Sequence, residues 1–328
     1  MLQNRELLLG RKNLLAFSAG SDSTALLFLL LENAIEFDIA IVDYGVRAES
    51  KEEVAYAQAL AKKYNFTCHI FTAPKIEKNF EANARELRYR FFESLIKEHF
   101  YENLLTAHHL GDRLEWFLMQ LCKGAGLYEL SGMKAIQRGD GYTLLRPLLH
   151  LDKEELLEYL HREKIHYFND ESNRDFRYKR NEFRHNFAHP LLQKHLSGIK
   201  KSFEYLDEDV MHFIKDVAIH SCNALSFFKS SGCKRSDAIA IDRHLKSLGH
   251  MMSRDERALL GAEKSVVLGR KFVVAEVKEF IFIAPYRPLQ GANKKFKEEM
   301  RLLKIDPKLR GYLVGDSESV ALLSALLA

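Results

Sequence analysis

The chain has 328 residues, 47% of them hydrophobic, and a formal net charge of +4. Such a chain fills two domain cores and is neither disordered nor fibrous. Its longest uninterrupted apolar run, residues 25–31, is too short to span a bilayer, and the first ten residues carry Arg5 and Glu6 where a secretory signal needs an apolar core. Cys68, Cys122, Cys222 and Cys233 are scattered with no Cys-x-x-Cys pair, which argues against zinc, an iron–sulfur cluster or a redox couple. The expectation is a cytoplasmic protein with reduced thiols and no membrane partner.

In chain order, β-like runs at residues 13–17, 38–42, 67–72 and 103–107 alternate with helical patterns at 23–31, 51–64, 83–99 and 112–122. This alternation predicts an α/β domain with a parallel sheet covered on both faces. Ligands bind such sheets beyond the carboxyl ends of the strands, so the loops after the first, second and fourth runs share one rim. Residues 152–162 read as another helix, and 181–188 begin one that Pro190 interrupts or redirects. Past about residue 195 the pattern changes. Residues 200–219 and 241–252 look helical, 265–268, 272–276 and 280–284 suggest a small antiparallel sheet, and 292–303 form a basic amphipathic helix. The expected organisation is a catalytic domain at 1–195 and a smaller α+β domain at 196–328, without internal repeats.

The most informative stretch is Ser18-Ala19-Gly20-Ser21-Asp22-Ser23, between the first apolar run and its helix. A polar small-residue loop there aims backbone N–H groups and hydroxyls at one point, where the helix N-terminus adds partial positive charge. That suits a phosphate or pyrophosphate. No lysine follows the loop, so it is not a Walker A motif; an ordinary N-cap formed by Ser21 or Asp22 is the plainer alternative. Farther on, His108, Asp112 and Glu115 are spaced four and three apart, on one face if the helix reaches back to His108. They read either as a functional cluster or as a helix start with a favourable first-turn acid. No third strong ligand close in sequence completes a metal site. Arg174, Arg177, Lys179, Arg180 and Arg184 interleave with Phe176, Tyr178 and Phe183, and Lys294, Lys295, Lys297, Arg301, Lys304, Lys308 and Arg310 gather near the end. Such clusters suit phosphates and unpaired bases, with a solvated charged face as the alternative for the second.

The loop resembles the Ser-Gly-Gly-x-Asp-Ser loop of the N-type ATP pyrophosphatases. Further matches follow in family order: Val42-Asp43-Tyr44-Gly45-Val46-Arg47, Asn83-Ala84-Arg85 with Arg88-Tyr89, His108-His109-Leu110-Gly111-Asp112-Arg113-Leu114-Glu115, Lys123-Gly124-Ala125-Gly126-Leu127 with Ser131-Gly132-Met133, Arg146-Pro147-Leu148-Leu149, Asp170-Glu171-Ser172-Asn173, and Arg180-Asn181 with Arg184. Together they resemble the tRNA(Ile)-lysidine synthetase family. That resemblance implies a Rossmann-like ATP pyrophosphatase domain followed by a tRNA-binding domain. It implies ATP held by Ser18, Ala19, Gly20, Ser21, Asp22, Ser23 and His108, with Mg²⁺ on Asp22. The implied catalytic set is Asp22, Arg88, Asp112, Glu115 and Arg180: Asp112 serves the chemical steps and Glu115 helps place lysine. The implied partners are free L-lysine and the isoleucine tRNA with a CAU anticodon, and a homodimer is an open possibility.

The sequence departs from the family at Ala19, Gly111, Arg113 and Trp116, and has Lys123 and Ala125 in its glycine-rich loop. A methyl at position 19 is tolerable only at negative φ, which sets the expectation there. Three other functions stay open: a tRNA thiolation enzyme, which needs a sulfur carrier and usually paired cysteines; a small-molecule amide synthetase, which needs no second basic domain; and a non-catalytic tRNA-binding protein with a decayed site.

Overall fold

The computed structural model describes residues 1–45, 50–76, 78–139, 141–168 and 179–327. Two compact units divide it, Met1–Glu208 and Asp209–Ala328.

The first unit runs β1 (Asn13–Ala16), α1 (Ser21–Glu32), β2 (Phe37–Asp43), α2 (Ser50–Tyr64), β3 (Cys68–Thr72), α3 (Phe80–His99), β4 (Asn103–Leu105), α4 (Leu110–Leu121), α5 (Leu127–Ser131), β5 (Ile136–Arg138), β6 (Thr143–Leu145), α6 (Lys153–Arg162) and α7 (Lys179–Phe183). A π-turn at Arg184–Ala188 then leads into α8 (His189–Phe213). Among the described residues these strands form one sheet in the order β3-β2-β1-β4-β6-β5. Pairing is parallel except at β5, which runs antiparallel to β6.

Strand alternation decides which helix covers which face. Leu15 packs with Leu26, Leu27 and Leu30 of α1, Leu60 of α2 and Leu156, Tyr159 and Leu160 of α6. Its neighbour Leu14 turns the other way, to Phe92, Leu95 and Ile96 of α3. β1 is central, with β2 on one side and β4 on the other, so chain order reverses between β1 and β4. The crevice at that reversal, beyond the carboxyl ends of both strands, is where an open α/β sheet takes its ligand.

Pro190 does not interrupt the helix, contrary to the expectation. It occupies the first turn of α8, where a missing N–H costs little. The π-turn before it passes the His189 N–H to Arg184 O, five residues back. α8 then continues through the expected domain boundary at 195/196, with non-helical backbone only at His195. Leu192, Leu196, Ile199, Phe203 and Leu206 pack with Leu110, Leu114, Phe117 and Leu118 of α4, so that stretch stays with the first unit.

The second unit contains β7 (His220–Cys222), β8 (Leu225–Lys229), α9 (Lys234–Ser247), α10 (Arg254–Ala262), β9 (Ser265–Leu268), β10 (Phe272–Val277), β11 (Phe280–Pro285), α11 (Lys294–Leu302), α12 (Pro307–Leu313) and α13 (Ser317–Leu327). Its sheet is antiparallel, in the order β7-β8-β11-β10-β9. Val273, Ala275 and Phe282 face Met300, Leu309, Leu313 and Leu323 of α11 to α13; Val274, Ile281 and Ile283 face Ala240, Ile241 and Leu245 of α9. No helix among the described residues is long and apolar enough to cross a membrane.

Candidate active site

The loop after β1 is shaped by its own serines. Ser18 N–H donates to Ser23 Oγ at 3.2 Å, the two hydroxyls lie 3.1 Å apart, and Ser23 Oγ–H donates to Gly20 O at 3.1 Å. Gly20 is the extended N-cap of α1 and has no side chain to satisfy the first-turn N–H groups, which leaves the helix N-terminus to an anion. Ala19 departs from expectation: its φ is +59° and its side chain is fully buried. A left-handed alanine costs roughly 1–2 kcal/mol. The conformation is held from outside the loop, where Phe168 N–H donates to Ala19 O at 2.9 Å and Gly20 forms a parallel bridge with Phe168.

Asp22, on the first turn of α1, is not left to solvent. Lys153 Nζ donates to Asp22 Oδ1 at 2.5 Å and to Ser21 Oγ at 2.6 Å. Lys153 is the first residue of α6.

Across the crevice, His109 has extended backbone and caps α4, so the helix starts at Leu110 and does not reach back to His108. His108 instead places Nδ1 2.9 Å from Thr106 Oγ1. Burial, together with the Arg146, Arg180 and Arg85 charges, brings its pKa down to about 4 despite Asp112, so the ring is neutral at pH 7. His109 Nδ1 accepts the Gly111 N–H at 3.0 Å, which leaves the ring proton on Nε2. That Nε2 stands 3.9 Å from Asp22 Oδ2 and 3.6 Å from Asp112 Oδ2. One imidazole therefore lies between Asp22 of the loop and Asp112 of α4.

Asp112 and Glu115, three apart on α4, meet Arg180 and Arg184, four apart across α7 and the π-turn. Arg180 Nε and Arg184 Nε donate to the two oxygens of Glu115, the latter at 3.0 Å. Both Nη2 atoms lie 3.3 Å from Asp112 Oδ1, while Asp112 Oδ2 accepts the His109 N–H at 3.0 Å. Two buried carboxylates thus balance two guanidiniums, as buried charges require. Their titration differs. Burial pushes the Asp112 pKa up, but the neighbouring His109 and His108 rings and the Arg180 and Arg184 guanidiniums outweigh it and hold the group well below the usual carboxylate range. For Glu115 burial prevails over the same arginines, with help from Asp112, and its pKa is raised.

Arg88 is not part of this cluster. It is exposed on α3, and its Nε donates to Tyr44 Oη at 3.0 Å, while Tyr44 O–H donates to Ala84 O at 3.1 Å. Of the flanking motifs, Val46 and Arg47 lie outside the described residues, as do Asp170-Glu171-Ser172-Asn173 with Arg174, Phe176, Arg177 and Tyr178.

The departures from the family pattern have packing reasons. A Cβ at Gly111 would come within 2.7 Å of the His109 ring. The buried Arg113 donates to Asp207 Oδ1 at 2.5 Å and lies over the Phe203 ring. Trp116 Nε1–H donates to Glu129 O, and its indole covers Gly132, where a Cβ would fall 1.9 Å away. Lys123-Gly124-Ala125-Gly126 ends α4, with Gly124 at φ +73°, and Gly126 caps α5. Arg146 is a buried strut, donating to Lys134 O at 2.7 Å.

Motif and spacing give His109 and Lys153 no role, yet Lys153 bonds Asp22 and His109 lies 3.9 Å from it. The one hint for Lys153 is a basic residue in a helix first turn that otherwise carries Glu154 and Glu155. Magnesium ordinarily takes one or two carboxylates and fills its shell with phosphates and water. Asp22, with 32% of its side chain exposed, is a donor of that kind. Among the described residues no three His, Cys, Asp or Glu side chains cluster as a metal site.

Residues 2–191 match the PP-loop domain family. The chain is 45% identical to a tRNA(Ile)-lysidine synthase of Wolinella succinogenes over 95% of each protein. It is 41% identical to one of Helicobacter pylori, over 93% of this chain and 90% of that protein. A U34-tRNA thiolase from Methanococcus maripaludis superposes with a TM-score of 0.54 at 16% identity, covering 66% of this chain and 78% of that one, a likeness of fold. A nucleotide-type loop and a carboxylate–arginine cluster face one crevice of a PP-loop sheet, and the likeness to these relatives runs nearly end to end: the chain belongs to the tRNA(Ile)-lysidine synthase family.

Proposed function

We propose that the chain ligates free L-lysine to the wobble cytidine of the CAU-anticodon isoleucine tRNA, consuming ATP and releasing AMP and pyrophosphate. The observation that carries this reading is the His109 ring between Asp22 and Asp112, which joins the loop suited to ATP phosphates and the charged cluster suited to lysine and cytidine into one site.

In the first step the ring carbonyl oxygen of cytidine attacks the α-phosphorus. The bond from that phosphorus to the bridging oxygen breaks, and its electron pair leaves on pyrophosphate. The Ser18, Ser21 and Ser23 hydroxyls and the N-terminus of α1 stabilise the departing charge as preorganised dipoles. Asp22 would hold a magnesium ion, which would supply Lewis-acid charge to this step. In the second step the ε-amine of lysine, having lost a proton, attacks the activated ring carbon, and AMP departs with the electrons of the carbon–oxygen bond. Asp112, held ionised, offsets the positive charge of the activated ring and of the incoming amine. Glu115 fixes the forks of Arg180 and Arg184. Their side chains remain 35% and 30% exposed and so keep access to the α-phosphate.

The second unit supplies tRNA affinity in this scheme. Lys294, Lys295 and Lys297 are exposed on α11, whereas Lys308 is tied to Ser265 O and Glu263, Arg310 to Ile305 O and Arg301 to Glu298. Lys304 is exposed as well, and these four lysines are therefore the phosphate contacts of that cluster.

The test is pyrophosphate release over many turnovers. Release that requires both the isoleucine tRNA and lysine is expected. Turnover that needs a sulfur donor in place of lysine, or no turnover with either, overturns the reading.

A further inference from the structure

The loop after β1 faces a polyanion with dipoles alone. Its helix N-terminus is equivalent to roughly half a positive charge, and its one ionised side chain, Asp22, is negative. Residues 13–46 carry no lysine or arginine to add a fixed cation there. The fold brings one from 131 positions away: Lys153 Nζ, at 2.5 Å from Asp22 Oδ1 and 2.6 Å from Ser21 Oγ.

We propose that Lys153 is a pyrophosphate-binding residue of this site, whose ammonium, held on Asp22 and Ser21 in this structure, binds the β- and γ-phosphates of ATP. The inference rests on the reading of the loop as an ATP site and adds to it the residue that holds the leaving group.

Three observations favour this over a plain anchor between α6 and the loop. Lysine at the first position of a helix opposes the helix dipole. The rest of α6 obeys the dipole, with Glu154 and Glu155 in its first turn and His161 and Arg162 in its last, so Lys153 is the residue out of place. Second, α6 has other anchors. Leu156, Tyr159 and Leu160 are buried in the core, Glu155 accepts the Asp152 N–H at 2.6 Å and Lys200 Nζ at 2.7 Å, and Leu151 O accepts the Leu110 N–H at 2.8 Å. That last bond ties the start of α6 to the start of α4, so Lys153 and Asp112 are carried on one frame beside the loop. Third, the pair is a third exposed, at 33% for Lys153 and 32% for Asp22. An ion pair in contact with water contributes little to stability, and its ammonium stays within reach of a ligand. The Lys153 side chain lowers the energy of the charge that accumulates on pyrophosphate as the α-phosphorus–oxygen bond breaks.

The experiment measures binding of Mg·ATP, magnesium pyrophosphate and AMP to the full chain and to its Lys153→Gln variant by calorimetry. The proposal expects Lys153→Gln to weaken ATP and pyrophosphate at least tenfold and leave AMP within twofold. Equal weakening of all three ligands, or of none, overturns it. A second measurement needs no variant: amine acylation of the wild-type protein, read at Lys153 by mass spectrometry. Pyrophosphate should protect Lys153 several-fold and AMP should not; labelling unchanged by pyrophosphate overturns the proposal. Pyrophosphate is the product of any attack on the α-phosphorus, so these affinities are read the same way whichever acceptor the enzyme uses. Failure of lysine-dependent turnover is thereby separable from failure of the Lys153 assignment.

Discussion

Replacing Glu115 by glutamine tests whether the carboxylate–arginine cluster is a fixed charge frame. Glu115 is 1% exposed and accepts Nε–H from Arg180 and from Arg184 on its two oxygens. Glutamine keeps the shape but presents one oxygen and one NH₂ group, so one arginine loses its acceptor and meets a donor. A hydrogen bond to a charged group is worth about 1.5–3 kcal/mol, and orphaning a fully buried charge costs about 3–5 kcal/mol. Both arginines are about a third exposed, so water takes over part of the lost interaction. Burial also pushes the Glu115 pKa up, and the neutral amide escapes that penalty. The cost therefore falls near the lower figure, about 2 kcal/mol, which in a unit of this size lowers Tm by about 4–8 °C. Thermal unfolding followed by circular dichroism at pH 7.5 reads this. The double variant Glu115→Gln with Arg184→Gln should recover at least about 1 kcal/mol, because the orphaned guanidinium is gone. A single variant melting within 1 °C of wild type, or a double variant with purely additive loss, refutes the frame.

Asp112→Asn is expected to lower lysidine formation more than about a hundredfold. Because the folded pKa of Asp112 is depressed, its contribution to stability is present above the unfolded value near 4 and is lost as pH falls through the folded value. The stability deficit of the variant should therefore shrink below pH 4, as urea unfolding across pH will report. His108 acts in the same direction in a higher pH window: its folded pKa of about 4 lies below the unfolded 6.5, so the unfolded chain binds a proton that the folded one refuses. Wild type should lose up to about 3 kcal/mol between pH 6.5 and 4 from this residue, and His108→Gln should flatten that slope. Replacing Lys294, Lys295 and Lys297 together by glutamine should weaken cognate and non-cognate tRNA alike and make the dependence of log K on log salt shallower by about two to three, as filter binding at several salt concentrations will show. An unchanged slope, or a selective loss for the isoleucine tRNA, would remove these lysines from the phosphate interface.

The parallel sheet was legible because strand and helix periods alternate plainly through β1 to α4, and the three-residue spacing of Asp112 and Glu115 placed them on one face. The four-residue spacing of Arg180 and Arg184 likewise gave a common direction, though not the partner it meets. β5, β6 and β7 escaped notice because three residues are too few to show a period. Lys153 was hidden for another reason: it acts through a contact made by tertiary packing, with Asp22 131 positions away. The φ of Ala19 was misjudged because local sterics favour the negative region, and the bond that overrules them comes from Phe168. Gly111 and Arg113 read as signs of decay only until their neighbours His109 and Asp207 are seen.

The stitch between Phe168 and the loop has a consequence for how this chain can drift. What Phe168 gives Ala19 is a main-chain N–H, so nearly any amino acid could inherit position 168 and keep the bond, while its ring packs separately against Tyr56 and His166. Proline alone would erase the donor outright, and a one-residue insertion upstream would hand it to the wrong carbonyl. A descendant could then retain every letter from Ser18 to Ser23 and yet own a collapsed loop. Inheritance of the motif and inheritance of its shape are thus separable, and the second is written in a place where no motif is looked for.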